Sequence, residues 1–248
     1  LLNGRITEKT YKKWKIFNSF SKLIFGKFDI CFASSLNSKN NLENLKAKNV
    51  KSFGNLKFCV NNDYKSLEQI NKKILDDYKV WCAANTHKGE ELICLKTHME
   101  IKKEFTNLLT IIIPRHINRV KDIKKICEKL KLKSQILEDG EQIDKNIEIL
   151  IINSFGVLQK YYAYCENVFI GKSMIEDLKL VGGQSPIEAA KSGCRIYHGP
   201  FVYNFVEIYN LLKSYNITEQ VNNIDELKNK LIKNLRNEKK IDKIKIEK

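Results

Sequence analysis

From residue 80 onward, short apolar runs rich in β-branched residues alternate with longer amphipathic runs. Residues 80–84, 108–113 and 147–152 have the composition of buried strands, and residues 90–105 carry apolar side chains at helical spacing. This alternation continues to residue 212 and predicts a parallel sheet that is covered by helices on both faces. Ligands of such sheets bind beyond the carboxyl ends of the strands.

The remaining composition excludes several classes of protein. The longest obvious apolar run, 108–113, is closed by Pro114 and is far shorter than the ~20 residues of a membrane-spanning helix. Seven cysteines are scattered singly, which is typical of a reducing compartment. Cys94 and His98 stand four residues apart, but they lie in an apolar helical stripe, which favours core packing over a metal site.

The net charge of +15 is concentrated near the start of the chain, because residues 1–60 hold 12 Lys and Arg against 3 Asp and Glu. An AT-rich coding sequence produces the same excess of Lys, Asn and Ile, so we expect no nucleic-acid partner despite the charge. Residues 11–28 interleave five lysines with aromatic and aliphatic side chains. This pattern predicts either peripheral contact with an anionic membrane surface or an ordinary helix packed on a core.

The densest local signal lies at residues 182–193. Ser185 at the N-cap, Pro186 at the first helical position and Glu188 at the third would form a capping box, and Gly193 would end the helix. The glycine pair 182–183 could let an anion approach the free amides of the helix start. A plain capped helix and an anion site both fit this pattern.

Three further segments follow predicted strands. Arg115 emerges directly after Pro114 and could grip a phosphate through two parallel hydrogen bonds. Residues 153–156 offer backbone amides and the aromatic face of Phe155, which could stack on a base. Residues 171–173 look like the end of a phosphate-binding loop, but the first glycine of that motif is replaced by a glutamate.

Several short motifs together, in order along the chain, resemble the Kdo transferases. These enzymes move 3-deoxy-D-manno-octulosonic acid (Kdo) from CMP-Kdo to lipid A precursor (lipid IVA) in lipopolysaccharide core biosynthesis. The motifs are LNGR (2–5), GNLKF (54–58), ANTHKGEE (84–91), PRH (114–116), GGQSPIE (182–188) and GPF (199–201). The ordered set is more specific than any of its members.

The resemblance implies a glycosyltransferase of the GT-B type, with two facing Rossmann-like domains, at the cytoplasmic face of the bacterial inner membrane. Residues 1–60 would be the end of the N-terminal acceptor domain, 63–215 the nucleotide-sugar-binding domain, and 216–248 a C-terminal helix and basic tail. The partners would be the CMP-Kdo donor, the lipid A precursor and an anionic membrane surface. No cofactor or metal is implied.

The resemblance also assigns roles to individual residues. Lys57 would stabilise charge in the transition state, since the leaving CMP is anionic. The family's catalytic base is a glutamate that would lie before Leu1, so we expect the 248 residues alone to be inactive. The nucleotide contacts would be Pro114, Arg115, Phe155, Gly156, Val157, Ser185, Pro186, Ile187 and Glu188.

The sequence departs from the family's pattern at several of these positions. Val157 stands where an acidic residue is usual, Ser185 replaces an asparagine, and Cys59 replaces an aspartate. The loss of an acidic ligand contact costs roughly 1–3 kcal/mol of binding. A non-catalytic remnant, or a nucleotide-binding module without turnover, is therefore the alternative to a working transferase.

Overall fold

The computed structural model describes residues 1–56, 59 and 67–236. The chain divides into two compact units, Leu1–Asn62 and Asp63–Lys248. Lys57, the predicted stabiliser of the transition state, lies outside the described residues.

The first unit is a small α/β arrangement. Two strands, β1 (Cys31–Ala33) and β2 (Val50–Ser52), pair in parallel and are joined through α3 (Leu36–Asn44). Helices α1 (Glu8–Ile16) and α2 (Asn18–Phe25) precede them. A strand, a helix and a second parallel strand therefore follow one another in this unit. The core of the unit consists of Ile6, Phe25, Cys31, Ala33, Leu42 and Leu45.

The second unit is built, within the described residues, on a seven-stranded parallel sheet. In chain order the strands are β3 (Lys79–Thr86), β4 (Leu108–Pro114), β5 (Ser134–Leu137), β6 (Ile149–Ile152), β7 (Asn167–Ile170), β8 (Arg195–His198) and β9 (Thr218–Gln220). Across the sheet their order is β5-β6-β4-β3-β7-β8-β9. Every residue of β4 and β6 is buried, as expected for strands covered on both faces.

Helices cover both faces of this sheet, as the alternating pattern predicts. The helices are α4 (Gln69–Asp76), α5 (Glu90–Lys102), α6 (Val120–Lys129), α7 (Leu158–Tyr162), α8 (Ile187–Lys191), α9 (Val206–Ser214) and α10 (Ile224–Arg236). One core joins α5, α6 and α10 to the sheet, and a separate core joins α4, α7, α8 and α9 to it. Among the described residues, no helix is long and apolar enough to cross a membrane.

The sequence pattern misses two edge strands, β5 and β9. Each is short and includes polar residues, such as Gln135 and Glu219, so neither forms an apolar run. The described part of the segment 216–248 is integrated into the second unit. It adds β9 to the sheet, and α10 packs against the core that contains α5, because Leu227 and Leu231 are fully buried there.

Cys94 and His98 are both fully buried in the second unit, which confirms the prediction of core packing. His98 Nδ1 lies 2.8 Å from Thr110 Oγ1 on β4. His198 at the end of β8 is also buried. Burial disfavours the charged imidazole and, aided by Lys102 near His98 and by Lys213 near His198, lowers the pKa of both groups to about 4.

These two histidines predict that acid destabilises the fold. The unfolded chain binds protons near pH 6.5 and the folded chain only near pH 4, so stability is lost as the pH falls through this window. We expect the free energy of unfolding, measured with urea, to fall by on the order of 1 kcal/mol per pH unit for each histidine. The variant His98→Leu should show a shallower pH dependence than the wild type. An unchanged dependence would contradict this explanation.

Candidate functional site

The order of the strands reverses beside β3, and this reversal locates a crevice at the carboxyl edge of the sheet. The chain passes from β3 through α5 to β4 on one side, and later through α7 to β7 on the other. Helices α5 and α7 lie on opposite faces. The loops that follow β3 and β7 therefore diverge, which is the arrangement where open α/β sheets bind their ligands.

The buried carboxylate of Glu90 ties these two loops together. Its Oε2 accepts hydrogen bonds from the backbone N–H groups of His87 (2.9 Å) and Lys172 (2.6 Å). Its Oε1 accepts from the N–H groups of Ser173 (2.8 Å) and Met174 (3.0 Å). Because hydrogen bonds to an ionised group are stronger than neutral ones, this carboxylate fixes the backbone on both sides of the crevice.

The glycine pair 182–183 serves backbone packing rather than ligand access. A Cβ at Gly182 would clash with the carbonyl oxygen of Phe201, and a Cβ at Gly183 would lie 3.0 Å from the Cα of Val202. Both glycines are buried. Of the two uses that the sequence left open for this pair, access for an anion finds no support here, because the loop 199–202 occupies the space beside it.

The predicted capping box is also absent from the start of α8. The helix begins at Ile187, its N-cap residue is Pro186, and no side chain caps it. The Oγ atom of Ser185 is buried and has no hydrogen-bond partner among the described residues. Gly193 has a φ of 77° and follows the C-cap residue Ser192, so it supplies the predicted left-handed residue at the end of the helix. The start of α8 thus presents a buried hydroxyl instead of a satisfied cap.

The predicted nucleotide contacts all lie at the carboxyl edge of the sheet. Pro114 ends β4 and Arg115 follows it, residues 155–157 follow β6, and residues 185–186 precede α8, which begins with Ile187 and Glu188. Arg115 and Gly156 are exposed, Phe155 is 70% exposed, and Ser185 and Glu188 are partly exposed. The side chains of Pro114, Val157, Pro186 and Ile187 are buried.

Burial limits what Val157 and Ile187 can offer to a ligand. Val157 packs in the same core as α7 and α8, and Ile187 is only 1% exposed. Each can contact a nucleotide through its backbone more readily than through its side chain. An apolar residue at position 157 therefore contributes to the core of this chain.

The two arginines that follow β4 differ in their partners. Arg119 makes a two-pronged ion pair with buried Glu91, through Nε (3.1 Å) and Nη2 (3.2 Å). No acceptor among the described residues pairs with the guanidinium of Arg115. The charge of Arg119 is thus used within the fold, whereas that of Arg115 is directed to solvent at the crevice and can bind an anion.

His87 and Lys172 are functional candidates that the sequence analysis did not identify. They follow the neighbouring strands β3 and β7. Both strands are predicted from the sequence, so the positions of the two residues at strand ends could have identified them as candidates. The rings of His87 and His116 meet edge to face, with 5.6 Å between their centroids. Burial, followed by the charges of Lys172, His116 and Arg115, lowers the pKa of His87 to about 4. The crevice is therefore electropositive.

A family model described as 3-deoxy-D-manno-octulosonic-acid transferase (kdotransferase) matches residues 1–60. A 3-deoxy-D-manno-octulosonic acid transferase of Rickettsia prowazekii is 28% identical over 81% of this chain and 43% of its own length. The chain is similar to Kdo transferases over most of its length. A Haemophilus influenzae Kdo transferase is 29% identical over 62% of this chain and 36% of its own length. The chain spans less than half of the length of these relatives.

A third relative covers nearly the whole chain. It is a bifunctional glycosyltransferase/methyltransferase of Fusobacterium nucleatum, 28% identical over 98% of this chain and 38% of its own length. The long coverage agrees with the ordered motifs, which run from residue 2 to residue 201. The predicted resemblance to the Kdo transferases is therefore confirmed.

Solved structures share the fold. The C-terminal CMP-Kdo binding domain of WaaA from Acinetobacter baumannii has a TM-score of 0.61 and 23% identity, over 68% of this chain and 86% of that domain. HepE of Anabaena in complex with UDP has a TM-score of 0.54 and 11% identity, over 97% of this chain and 63% of that one. The predicted fold class is confirmed: a Rossmann-like domain of the GT-B type, preceded by the end of a second α/β domain.

The role of Glu90 can be tested with Glu90→Gln. The amide retains one acceptor oxygen and turns an N–H₂ group toward backbone donors, so we expect the free energy of unfolding to fall by about 3 kcal/mol. Glu100→Gln is the matched control, because Glu100 lies on the same helix and pairs with Lys103 at the surface. The control should change stability by less than about 0.5 kcal/mol. Equal small losses in both variants, measured by chemical denaturation, would contradict the role of Glu90.

Proposed function

We propose that this chain is the donor-binding part of a glycosyltransferase that moves Kdo from CMP-Kdo to the lipid A precursor lipid IVA. The observation that carries the proposal is the guanidinium of Arg115, which stands without a partner among the described residues at the crevice beside β3. The names of the relatives and of the CMP-Kdo binding domain support the choice of donor. An unpaired cation at this edge suits an anionic nucleotide.

The crevice offers a complementary group for each part of a cytidine monophosphate. Arg115 binds the phosphate through parallel hydrogen bonds. The buried hydroxyl of Ser185, which lacks a partner in the described chain, gains one from the nucleotide. The partly exposed Glu188 accepts hydrogen bonds from the ribose hydroxyls, and the exposed ring of Phe155 stacks on the base.

The reaction is a displacement at the anomeric carbon of Kdo. An acceptor hydroxyl attacks this carbon, a carboxylate removes the hydroxyl proton, and the bond to the phosphate oxygen breaks as CMP leaves with the electron pair. Arg115 neutralises charge on the leaving group, and Lys57 is proposed to do the same in the transition state. These cations can serve a monophosphate without a metal ion.

A second candidate is a nucleotide-binding module without turnover. The burial of Val157 favours it, because the position that is acidic in the Kdo transferases contributes an apolar side chain to the core here. The two candidates share the CMP site and differ only in transfer. Because the 248 residues alone are expected to be inactive, turnover is measured with the complete gene product. Release of CMP from CMP-Kdo that depends on added lipid IVA supports the transferase and excludes the module, and CMP binding without such release supports the module.

Calorimetric titration with CMP tests the nucleotide site. We expect Arg115→Ala to weaken CMP binding by at least about tenfold, since a charged hydrogen bond contributes about 1.5–3 kcal/mol. Arg236→Ala is the control, because Arg236 is paired with Glu104 on a remote helix surface. Equal affinities of the wild type and Arg115→Ala would rule out this placement of the phosphate.

We also propose that the first unit contacts an anionic membrane, at the cytoplasmic face of the bacterial inner membrane. Every residue of α1 remains at least partly exposed. Around the junction of α1 and α2, four large apolar side chains are more than half exposed: Ile16, Phe17, Phe20 and Leu23. The surrounding lysines are also exposed: Lys12, Lys13, Lys15, Lys22 and Lys27. Apolar side chains rimmed by cations suit a surface of acidic lipids.

Co-sedimentation with vesicles tests this surface. We expect binding to vesicles that contain phosphatidylglycerol, weaker binding in high salt, and little binding to pure phosphatidylcholine. The double variant Phe17→Ser/Phe20→Ser should reduce binding by about tenfold or more, because two aromatic rings no longer enter the lipid. Leu211→Ser removes an exposed apolar side chain from the second unit and should have no effect. Equal losses in the two variants would refute the assignment.

A further inference from the structure

We propose that His87, His116 and Lys172 form a subsite for the carboxylate of the sugar that is transferred, separate from the phosphate contact of Arg115. This inference rests on the proposed function and assigns the acidic sugar of the donor to a place in the crevice. The three side chains follow β3, β4 and β7, which are neighbours at the centre of the sheet.

The first observation is an unsatisfied ring nitrogen. His87 Nε2 is buried and has no hydrogen-bond partner among the described residues. A buried polar atom without a partner costs roughly 1–3 kcal/mol, so such atoms in a crevice are candidates for ligand contact. The backbone N–H of His87 is held by Glu90, which fixes the origin of the side chain. In the tautomer that carries its proton on Nε2, this nitrogen is a donor for an anion.

The second observation is the positive surroundings of this ring. Lys172 adopts a left-handed backbone conformation (φ 60°), and its N–H is also held by Glu90. No ion pair within the described chain uses its ammonium group. The low pKa of His87, caused by burial and by the charges of Lys172, His116 and Arg115, keeps the ring neutral near pH 7. The crevice therefore combines a neutral donor with an unpaired cation.

The number and spacing of the cations favour a second anion. A phosphate that bridges cytidine and the sugar carries one negative charge, which Arg115 alone can neutralise. Lys172 lies two strands from Arg115, or about 10 Å between strand axes at the usual strand spacing. In an ulosonic acid donor, the carboxylate and the phosphate oxygen are bonded to the same anomeric carbon. Long side chains that converge from β4 and β7 can therefore hold one anion each.

Such a subsite would select acidic sugars. A donor with a neutral sugar leaves Lys172 unpaired and His87 Nε2 without a partner, so it gains nothing from these groups. A carboxylate satisfies both at once. The affinity for CMP, which lacks the sugar, should not depend on these residues.

The test compares the affinities of CMP and of freshly prepared CMP-Kdo for the 248-residue chain and its variants. We expect His87→Ala to weaken the binding of CMP-Kdo by about tenfold and to change that of CMP by less than about twofold. Lys172→Asn should do the same, since asparagine tolerates the left-handed backbone at this position. The control Lys88→Gln removes a neighbouring exposed charge and should change neither affinity.

The outcomes separate this inference from the proposed function. If the wild type binds neither ligand, the proposed function fails, and the subsite fails with it. If the wild type binds both but the variants weaken both equally, or weaken neither, only the carboxylate subsite is overturned. Circular dichroism melting confirms that each variant folds, and His116→Ala replaces His87→Ala if that variant melts early. Selective loss of CMP-Kdo binding supports the subsite.

Discussion

The arrangement of the carboxyl edge depends on one buried carboxylate. Glu90 begins α5, yet its side chain accepts hydrogen bonds from backbone amides of the loops after β3 and β7. The constraint extends to β8, because Ser173 Oγ donates to the carbonyl of Ile170 and accepts from the N–H of Gly199. The loops that follow β3, β7 and β8 are therefore held together as one rigid frame.

This frame explains why neighbouring residues of the same type have different uses. Glu91 is buried beside Glu90 and binds Arg119, which leaves Arg115 as the guanidinium that faces the crevice. His98 bonds to Thr110 through Nδ1 and has its unpaired Nε2 inside the core, whereas the unpaired Nε2 of His87 lies at the carboxyl edge of the sheet. Arg119 and His98 therefore serve the fold, and Arg115 and His87 lie at the edge where such sheets bind their ligands.

The sequence predicts the central strands and most helices, because their apolar patterns are continuous and strong. It does not predict β5 and β9, because their polar residues prevent a continuous apolar pattern. The role of Glu90 could not be inferred from the neighbouring sequence, since its partner Ser173 lies 83 residues further along the chain. The sequence could not decide the use of the glycine pair 182–183 for the same reason, because the backbone that packs against it comes from residues 201–202. Local patterns locate the loops of the site, but contacts distant in sequence decide which side chains remain free.

The central claim is that a cytidine nucleotide binds across the carboxyl edge of the larger sheet. Hydrogen–deuterium exchange with and without CMP tests it most directly. The account predicts slower exchange in peptides that cover residues 115–119, 153–157 and 184–188. A cavity of about 400 Å³ lies at the opposite edge, where Lys79, Glu166 and Asn167 line it. Protection confined to peptides at that edge, with none in the three loops, would contradict the account.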